Sequence, residues 1–175
     1  MSSNSEALLE KKLEKIISWQ KRRNLDKKSH QLIGLKYYNE LSKDLLYLIL
    51  KTRQEVFVIE QNCNYLDADD YDQFSHHLMG FQDNRLIAYM RIIDKGHLYD
   101  NIAFGRILVI KEYRGMSIGN SLMQKGLSHF TNKNQSIIMS AQSYLIDFYK
   151  KFNFKTIGEE YLEDNILHVK MIRNG

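Results

Sequence analysis

Residues 104–110 read FGRILVI, and residues 111–120, which follow directly, read KEYRGMSIGN. Together they predict a buried strand, a tight glycine turn and the start of a helix. Such a turn leaves several backbone N–H groups free at a helix N-terminus, where the helix macrodipole adds partial positive charge. This stretch decides the fold, and it predicts a site for the phosphate or pyrophosphate of a cofactor.

The spacing of the glycines narrows the choice of cofactor. A dinucleotide fingerprint needs three glycines and a P-loop needs a Lys-Ser or Lys-Thr pair, and this turn has neither. The segment from Arg114 to Gly119 instead resembles the R-x-x-G-x-G/A turn of the GNAT acetyltransferases, which holds the pyrophosphate of acetyl-CoA. Ser117 stands where that pattern has its first glycine, so the N–H is kept but positive φ becomes less accessible.

Length and composition predict one domain with an N-terminal extension. The chain has 175 residues and 43% apolar content, without a Pro/Gly/Ser-rich linker. We divide it into a basic amphipathic extension, residues 1–30, and a domain, residues 31–175. The lone Cys63 excludes an intrachain disulfide, and no stretch has the length of a membrane span or the core of a signal peptide. A cytoplasmic protein without a membrane partner is expected.

The formal charge of +4 is concentrated in the extension. Residues 1–30 hold eight Lys or Arg against four Asp or Glu, so the remaining chain is neutral. Leu9, Leu13, Ile16 and Ile17 have helical spacing, which favours a helix packed on the domain or on a partner with its basic face solvated. Nucleic acid is therefore not the expected partner, although an anionic surface stays as the alternative for this segment.

The hydrophobic pattern predicts a mixed α/β sheet. Ser42 is the expected N-cap of the first helix after the extension. The expected strands are Leu32–Tyr38, His77–Phe81, Leu86–Ile93, Arg106–Ile110, Ser136–Ala141, Lys155–Tyr161 and Ile166–Arg173, and the expected helices carry Leu45 to Val56, Leu122 to Phe130 and Leu145 to Phe152.

Several separate segments resemble one branch of this superfamily, the ElaA-like GNAT proteins. Residues 50–67, LKTRQEVFVIEQNCNYLD, are similar to the L-R-x-x-V-F-V-V-E-Q-x-C-P-Y-x-D signature of that branch, with Asn64 in place of the proline. In the segment Tyr161–His168, Asn165 and Leu167 replace a glycine and a proline. Further matches are His77–Gly80, Ala88–Arg91, Gly105-Arg106, Ala141-Gln142, Leu145 and Phe148-Tyr149, so the resemblance runs from about Leu46 to Met171.

The resemblance implies a single GNAT acyl-CoA N-acyltransferase fold with acetyl-CoA as cosubstrate and no metal. The pantetheine arm is expected between the strand ending at Ile110 and the strand at Ile137–Ala141, and it would add to them like a strand. A backbone N–H near Leu108 would polarise the acetyl carbonyl. The implied cofactor contacts are Leu108, Val109, Ile110, Arg114, Gly115, Met116, Ser117, Ile118, Gly119, Asn120, Gln142 and Tyr149.

The acceptor is expected to be a primary amine of a small molecule, a polyamine, or a lysine or other peptide amine. An alkyl ammonium with a pKa of about 10.4 is only about 0.1% neutral at pH 7, so the reaction needs a base. The strand before the glycine turn contains no carboxylate, so the base must come from elsewhere. The candidates are Glu60 and Glu163, then His77 and His168. Each could instead hold a structural contact with Arg53, Arg91 or Arg106.

Tyr149 is the candidate acid for the departing thiolate, as the resemblance implies, although it also lies on an apolar helical stripe with Leu145 and Phe152. Cys63 is expected to be a small buried hydrophobe rather than a nucleophile. An acidic cluster lacks the spacing of a calcium loop and is expected to be a solvated loop that could attract a cationic amine. Its members are Asp67, Asp69, Asp70 and Asp72.

Two other functions stay open at this point. Arg53, Val56 and Phe57 match the Arg-x-x-Val-Phe helix of the autoinducer synthases, which share the GNAT core and use an acyl thioester with S-adenosylmethionine. The second alternative is a non-catalytic acyl-CoA-binding module whose basic N-terminal helix recruits a partner. A homodimer is compatible with the sequence.

Overall fold

The computed structural model describes residues 32–130 and 135–175 and shows a mixed α/β fold, as predicted. The predicted N-terminal extension lies outside the described residues. No helix within these ranges is long and apolar enough to cross a membrane. The elements are β1 (Leu32–Tyr37), α1 (Lys43–Arg53), β2 (Ser75–Gln82), β3 (Arg85–Ile93), β4 (Ile102–Val109), α2 (Ile118–Phe130), β5 (Ile137–Gln142), α3 (Ile146–Lys150), β6 (Lys155–Glu163) and β7 (Ile166–Arg173).

The seven strands form one sheet in the order β1-β2-β3-β4-β5-β7-β6. All neighbouring strands are antiparallel except β4 and β5, which pair in parallel only at Ile102 with Ile137 and Ala103 with Ile138. β4 then continues to Val109 and β5 continues to Gln142, and these two strands do not pair with each other beyond Ala103 and Ile138. The two strands therefore diverge towards their C-terminal ends and leave a gap in the sheet, which confirms the predicted divergence.

The helices α1 and α2 cover opposite faces of the sheet. Tyr89 and Met90 are consecutive in β3, so their side chains point to opposite faces. The guanidinium of Arg53 in α1 lies 5.9 Å from the ring centre of Tyr89. On the other side, Gly126 of α2 lies so close to Met90 that an added Cβ would sit 2.9 Å from the sulfur. We call these the α1 face and the α2 face.

The main core extends over both faces of the sheet, and on the α2 face the apolar stripe of α2 is buried against β3 and β4. Leu122 and Met123 are completely buried, and Phe104 and Phe130 meet edge to face with ring centres 6.3 Å apart. Burial of each large apolar side chain stabilises the fold by about 1.5–3 kcal/mol. This packing fixes the start of α2 beside the end of β4.

The helix α1 begins at its predicted cap and ends differently from the prediction. Ser42 accepts a hydrogen bond from the Leu45 N–H at 3.2 Å, which confirms the cap. The sequence predicted a regular helix through Val56, whereas Gln54–Glu60 forms a π-helix. The wider turn of a π-helix rotates the following residues relative to α1, and such segments are common at functional sites. Here it delivers Glu60 and Gln61 to the C-terminal end of β4.

Candidate active site

A cleft of about 900 Å³ occupies the gap between β4 and β5. Its lining includes both Met139 and Ser140, consecutive residues of β5 whose side chains point to opposite faces. Phe148 and Tyr149 line it on the α2 face. The cleft is therefore lined by residues from both faces of the sheet.

The glycine turn lies at one end of this cleft and has the conformation that an anion site requires. Gly115 and Ser117 have φ of 78° and 60°, so Ser117 takes the left-handed conformation despite its side chain. The first helical hydrogen bond of α2 runs from the Ser121 N–H to the Ser117 carbonyl at 3.1 Å. The N–H groups of Ile118, Gly119 and Asn120 precede it and have no intrahelical acceptor.

Arg114 is held between the end of β4 and Glu60. Its Nε donates to the Val109 carbonyl at 2.8 Å, and its two terminal nitrogens donate to the two carboxylate oxygens of Glu60 at 2.6 and 3.0 Å. Both oxygens of Glu60 are thus occupied by a bidentate ion pair. Glu60, a candidate base in the sequence, acts in this structure as the partner that orients Arg114.

The backbone of β4 faces the gap at Val109, next to Leu108 in the strand. The Ile110 N–H donates to the Ile87 carbonyl of β3 at 2.9 Å. N–H groups of alternate residues point to opposite edges of a strand, so Leu108, opposite Tyr89, also faces β3 and Val109 faces the gap. Ile110 and Met116, both implied cofactor contacts, do not line the cleft, whereas the other ten do.

A β-bulge in β4 breaks its register with β3 between Tyr89 and Arg91. Arg106 lies in the bulge with φ of 51°, a strained conformation for a residue with a long side chain. The bulge directs Arg106 towards the 67–72 segment, where its Nε donates to Asp67 at 2.6 Å and a terminal nitrogen donates to Asp69 at 3.1 Å. These charged hydrogen bonds offset the strain.

Three arginines and three aspartates form a closed ring of alternating charge, which we call the Arg-Asp ring. Its members are brought together from α1, β3, the β4 bulge and the 67–72 segment. In order around the ring they are Arg53, Asp67, Arg106, Asp69, Arg91 and Asp72, and every neighbouring pair is an ion pair of 3.1 Å or less.

The Arg-Asp ring overturns the expectation of a solvated acidic loop. The Asp67 side chain is 2% exposed and the Arg53 side chain 0%. Burial raises the pKa of Asp69, but hydrogen bonds and charge from Arg91 outweigh burial and lower the pKa overall. With three charges of each sign the ring is neutral, so Asp67, Asp69 and Asp72 have no free charge with which to attract a cationic amine. Asp70 alone is exposed.

His77, another candidate base, is buried and does not line the cleft. One ring nitrogen, Nε2, lies 3.0 Å from the Asp72 carbonyl, which can only accept, so Nε2 carries the proton. Nδ1 then accepts from the Tyr89 hydroxyl at 2.7 Å. Burial lowers the pKa of His77 to about 4, so the ring is neutral at pH 7. Its two hydrogen bonds give it a structural role beside the Arg-Asp ring.

Tyr149 lines the cleft with a buried ring, so it belongs to the core and to the cleft together. Burial, followed by the influence of Tyr144, raises the pKa of its hydroxyl. The group is therefore protonated at neutral pH, as a proton donor must be. Its hydroxyl has no hydrogen-bond partner among residues 32–130 and 135–175.

A polar cluster lines the cleft on the α1 face. The Ser140 hydroxyl donates to Glu163 Oε2 at 3.1 Å and accepts from the Tyr161 hydroxyl at 2.6 Å. The ring of His168 stacks on that of Tyr161, with centres 6.2 Å apart. His168 Nδ1 lies 2.9 Å from the Ile166 carbonyl. The remaining two candidate bases, Glu163 and His168, are thus brought together across β6 and β7.

Residues 50–174 match the family model described as the Acetyltransferase (GNAT) domain. The chain belongs to the GNAT acetyltransferase family. It is 40% identical over 140 residues to a UPF0039 protein of Synechocystis, with 77% of this chain and 90% of that protein covered. It is 36% identical over 141 residues to the protein ElaA of Escherichia coli, covering 78% of this chain and 92% of ElaA. The ElaA-like resemblance is confirmed.

Solved structures give the same assignment. The crystal structure of Escherichia coli ElaA has a TM-score of 0.77 at 35% identity, and an acyl-CoA N-acyltransferase from Pseudomonas aeruginosa has 0.78 at 33%. Each comparison covers 82% of this chain and 99% of the other. A CoA-dependent acyl-homoserine lactone synthase has 0.68 at 14% identity, which shows a shared fold alone. The protein is a GNAT-type acyltransferase.

Within this GNAT domain, sequence reasoning missed the contacts that connect distant segments. Gln142, an implied cofactor contact, donates from Nε2 to Gln61 Oε1 at 3.2 Å. Ser140 and Tyr161 were not singled out as site residues, and only their position in matched strands could have suggested them. Cys63 is buried and its thiol lies 3.4 Å from the Asp164 carbonyl. The described residues contain no group of three or more His, Cys, Asp or Glu that could hold a metal.

Proposed function

We propose that this protein transfers the acetyl group of acetyl-CoA to a primary amine by direct attack within a ternary complex. The observation that carries the proposal is the gap between β4 and β5, which joins the N–H groups at the start of α2 to the polar cluster on the α1 face. A thioester entering from one face and an amine from the other would meet in this gap.

The cofactor half rests on the turn and on β4. The pyrophosphate would accept hydrogen bonds from the N–H groups of Ile118, Gly119 and Asn120, beside the ion pair of Arg114 with Glu60. The pantetheine arm would run beside the backbone of Val109, which faces the gap, as an added strand. An N–H directed into the gap would stabilise the negative charge that develops on the acetyl oxygen.

The reaction moves two protons besides the acetyl group. The acceptor ammonium first gives one proton to a base, and the amine nitrogen then attacks the thioester carbon. As the tetrahedral intermediate collapses, the C–S bond breaks and the thiolate takes a proton from Tyr149. The surplus proton on the new amide nitrogen restores Tyr149 through solvent, so one amide, one CoA thiol and one proton result.

The base comes from the α1 face. Glu60 is committed to Arg114, and His77 is buried with both nitrogens bonded. Glu163 and His168 line the cleft next to Ser140, where an amine approaching from this face would arrive.

The decisive experiment is a thermal shift with acetyl-CoA, with ADP and free CoA as comparisons. Saturation at about 100 times Kd adds about 2.7 kcal/mol to the free energy of unfolding, which is a readily measured increase in Tm. A clear shift with acetyl-CoA supports the cofactor site and is followed by CoA release in the presence of amines. The absence of any shift would contradict the proposal and favour a function without acetyl-CoA.

A further inference from the structure

The cations that line the cleft are all neutralised by the protein itself. Within the described residues, the lining contains three guanidinium groups and no lysine. Arg91 and Arg106 are members of the Arg-Asp ring, and Arg114 is paired with Glu60. The ring uses its charges fully, because each guanidinium contacts two aspartates. No lining cation on the α1 face is left for a carboxylate carried by a substrate.

Two carboxylates that line the cleft, unlike its guanidinium groups, have no ion-pair partner in the described part of the chain. Glu163 and Asp164 both line it, and neither has a Lys or Arg partner within ion-pair distance in the described part of the chain. Glu163 receives one hydrogen bond, from the neutral Ser140 hydroxyl. Lys170 lies opposite Ser140 in the register of β5 and β7, with its ammonium 5.4 Å from the ring centre of Tyr99, and it does not line the cleft. The two carboxylates that line this end of the cleft are thus not balanced by a lining cation.

Tyrosine rings line the cleft together with Glu163 and Asp164. Tyr71 and Tyr99 pack beside Ile138 on the α1 face, and Tyr161 is bonded to Ser140 two residues further along β5. Burial, followed by the charge of Glu163, raises the pKa of Tyr99, and both residues line the cleft. Tyrosine faces and hydroxyls suit the alkyl stem of an amine, and the electron-rich faces attract cations.

We propose that the acceptor is a primary amine without a carboxylate near its amino group, such as an alkyl mono- or diamine, and that it binds as an ammonium ion to Glu163. This inference rests on the proposed function and specifies its second substrate. An α-amino acid would place its carboxylate in a site that is lined by Glu163 and Asp164 and by no unpaired cation. Desolvation without a partner and like-charge repulsion would both oppose it.

His168 is placed to take the proton that this ammonium must lose. Its Nδ1 donates to the Ile166 carbonyl, because a carbonyl can only accept. The neutral ring therefore has its lone pair on Nε2, which has no partner among the described residues. One ammonium proton passes to Nε2, and the nitrogen lone pair released by this step becomes the nucleophile. Glu163 thus binds the cation and His168 acts as the base.

The test compares pentylamine with norleucine, which differ by the α-carboxylate beside their only amino group. Steady-state CoA release at saturating acetyl-CoA gives kcat/KM for each acceptor. We expect the value for pentylamine to exceed that for norleucine by about tenfold or more, since the carboxylate would lose its solvation without gaining a partner and would be repelled by Glu163 and Asp164. Calorimetric titration of each amine into the CoA-loaded protein provides a second readout that does not depend on turnover. Equal or higher values for norleucine in both measurements would overturn the proposal.

Matched variants locate the effect. Glu163→Gln should raise the KM for pentylamine about tenfold or more and leave the KM for acetyl-CoA unchanged. Glu159→Gln, on the same strand but outside the cleft, should change neither value. A Glu163→Gln protein with an unchanged KM for pentylamine would overturn the assignment. If acetyl-CoA gives no thermal shift, the proposed function itself has failed, whereas a shift combined with a preference for norleucine refutes only the acceptor class.

Discussion

At the scale of single residues, the protein uses burial to set protonation states on both sides of the sheet. The environment of Tyr149 keeps its hydroxyl protonated, and that of His77 keeps its imidazole neutral. Both effects arise because charged forms lose solvation in the core. The two residues differ in their hydrogen bonds. Both ring nitrogens of His77 are bonded, so His77 has a structural role, whereas the Tyr149 hydroxyl has no partner within the described residues and is available for chemistry.

Replacing Tyr149 with phenylalanine should lower kcat by about 100-fold or more, the usual contribution of a positioned acid. The KM for acetyl-CoA should stay the same and Tm should change little, since the hydroxyl has no partner within the described residues. The measurement is CoA release at saturating acetyl-CoA, with Tyr47→Phe, an exposed tyrosine of α1, as the control. A full rate for Tyr149→Phe would remove Tyr149 from the mechanism.

His77 makes a prediction for stability against pH. Its pKa falls from 6.5 to about 4 on folding, so the unfolded chain binds more protons between these values. The contribution of His77 to the free energy of unfolding is complete above pH 6.5. It decreases by up to about 3 kcal/mol as the pH falls to 4. Urea unfolding should show that the free energy of unfolding falls less between pH 7 and pH 5 for His77→Gln than for the wild type. The exposed His97→Gln should retain the wild-type loss; identical losses in all three proteins would contradict the assignment.

At the scale of elements, the join between β4 and α2 shows how a turn keeps its shape when its glycine is replaced. Ser117 takes φ of 60°, the conformation that the sequence made questionable, because α2 is fixed by its packing against β3 and β4. The strain costs about 1–2 kcal/mol and is offset by the core.

Two hairpin turns also contain residues with positive φ. These residues are Asp83-Asn84 and Asp164-Asn165, and positive φ suits a tight turn.

The conformation of Ser117 can be tested by substitution. Ser117→Gly should preserve acetyl-CoA binding, because glycine adopts positive φ without strain. Ser117→Val should weaken binding about tenfold or more, since a β-branched side chain disfavours this conformation and would tilt the N–H groups that follow. Kd values from calorimetry decide the question. Equal affinity for the Gly and Val variants would mean that the turn does not bind the cofactor.

At the scale of the whole molecule, the Arg-Asp ring ties together elements that the sheet alone does not connect. It joins the end of α1, the centre of β3, the bulge of β4 and the 67–72 segment within one closed set of charges. Removing one partner from a buried ion pair leaves an uncompensated charge, whose cost exceeds the net value of the pair. The ring therefore holds the α1 side of the cleft in one arrangement.

Asp67→Asn should lower the free energy of unfolding by about 3–5 kcal/mol, because Arg53 and Arg106 both lose their shared counterion. Urea unfolding followed by circular dichroism measures this value. The control is Glu55→Gln, which removes the half-exposed ion pair with Lys51 and should cost less than about 1 kcal/mol. If Asp67→Asn costs as little as Glu55→Gln, the ring does not stabilise the fold as described.

The sequence by itself determined the family, the types and order of the elements and the position of the glycine turn, because these depend on local pattern and on contiguous motifs. Strand bounds were right within a few residues, the Ser42 cap was right, and the gap between β4 and β5 followed from the resemblance. The π-helix after Arg53 could not be predicted, since its apolar spacing fits a regular helix equally well.

Only the tertiary structure decided which charges meet. Arg106 and Asp67 are 39 residues apart, and Arg114 and Glu60 are 54 apart, yet each pair is in direct contact. Sheet register and the β4 bulge bring these groups together, and no local pattern encodes that pairing. The four aspartates of residues 67–72 therefore predicted a solvated loop from the sequence, whereas in the fold three of them neutralise arginines.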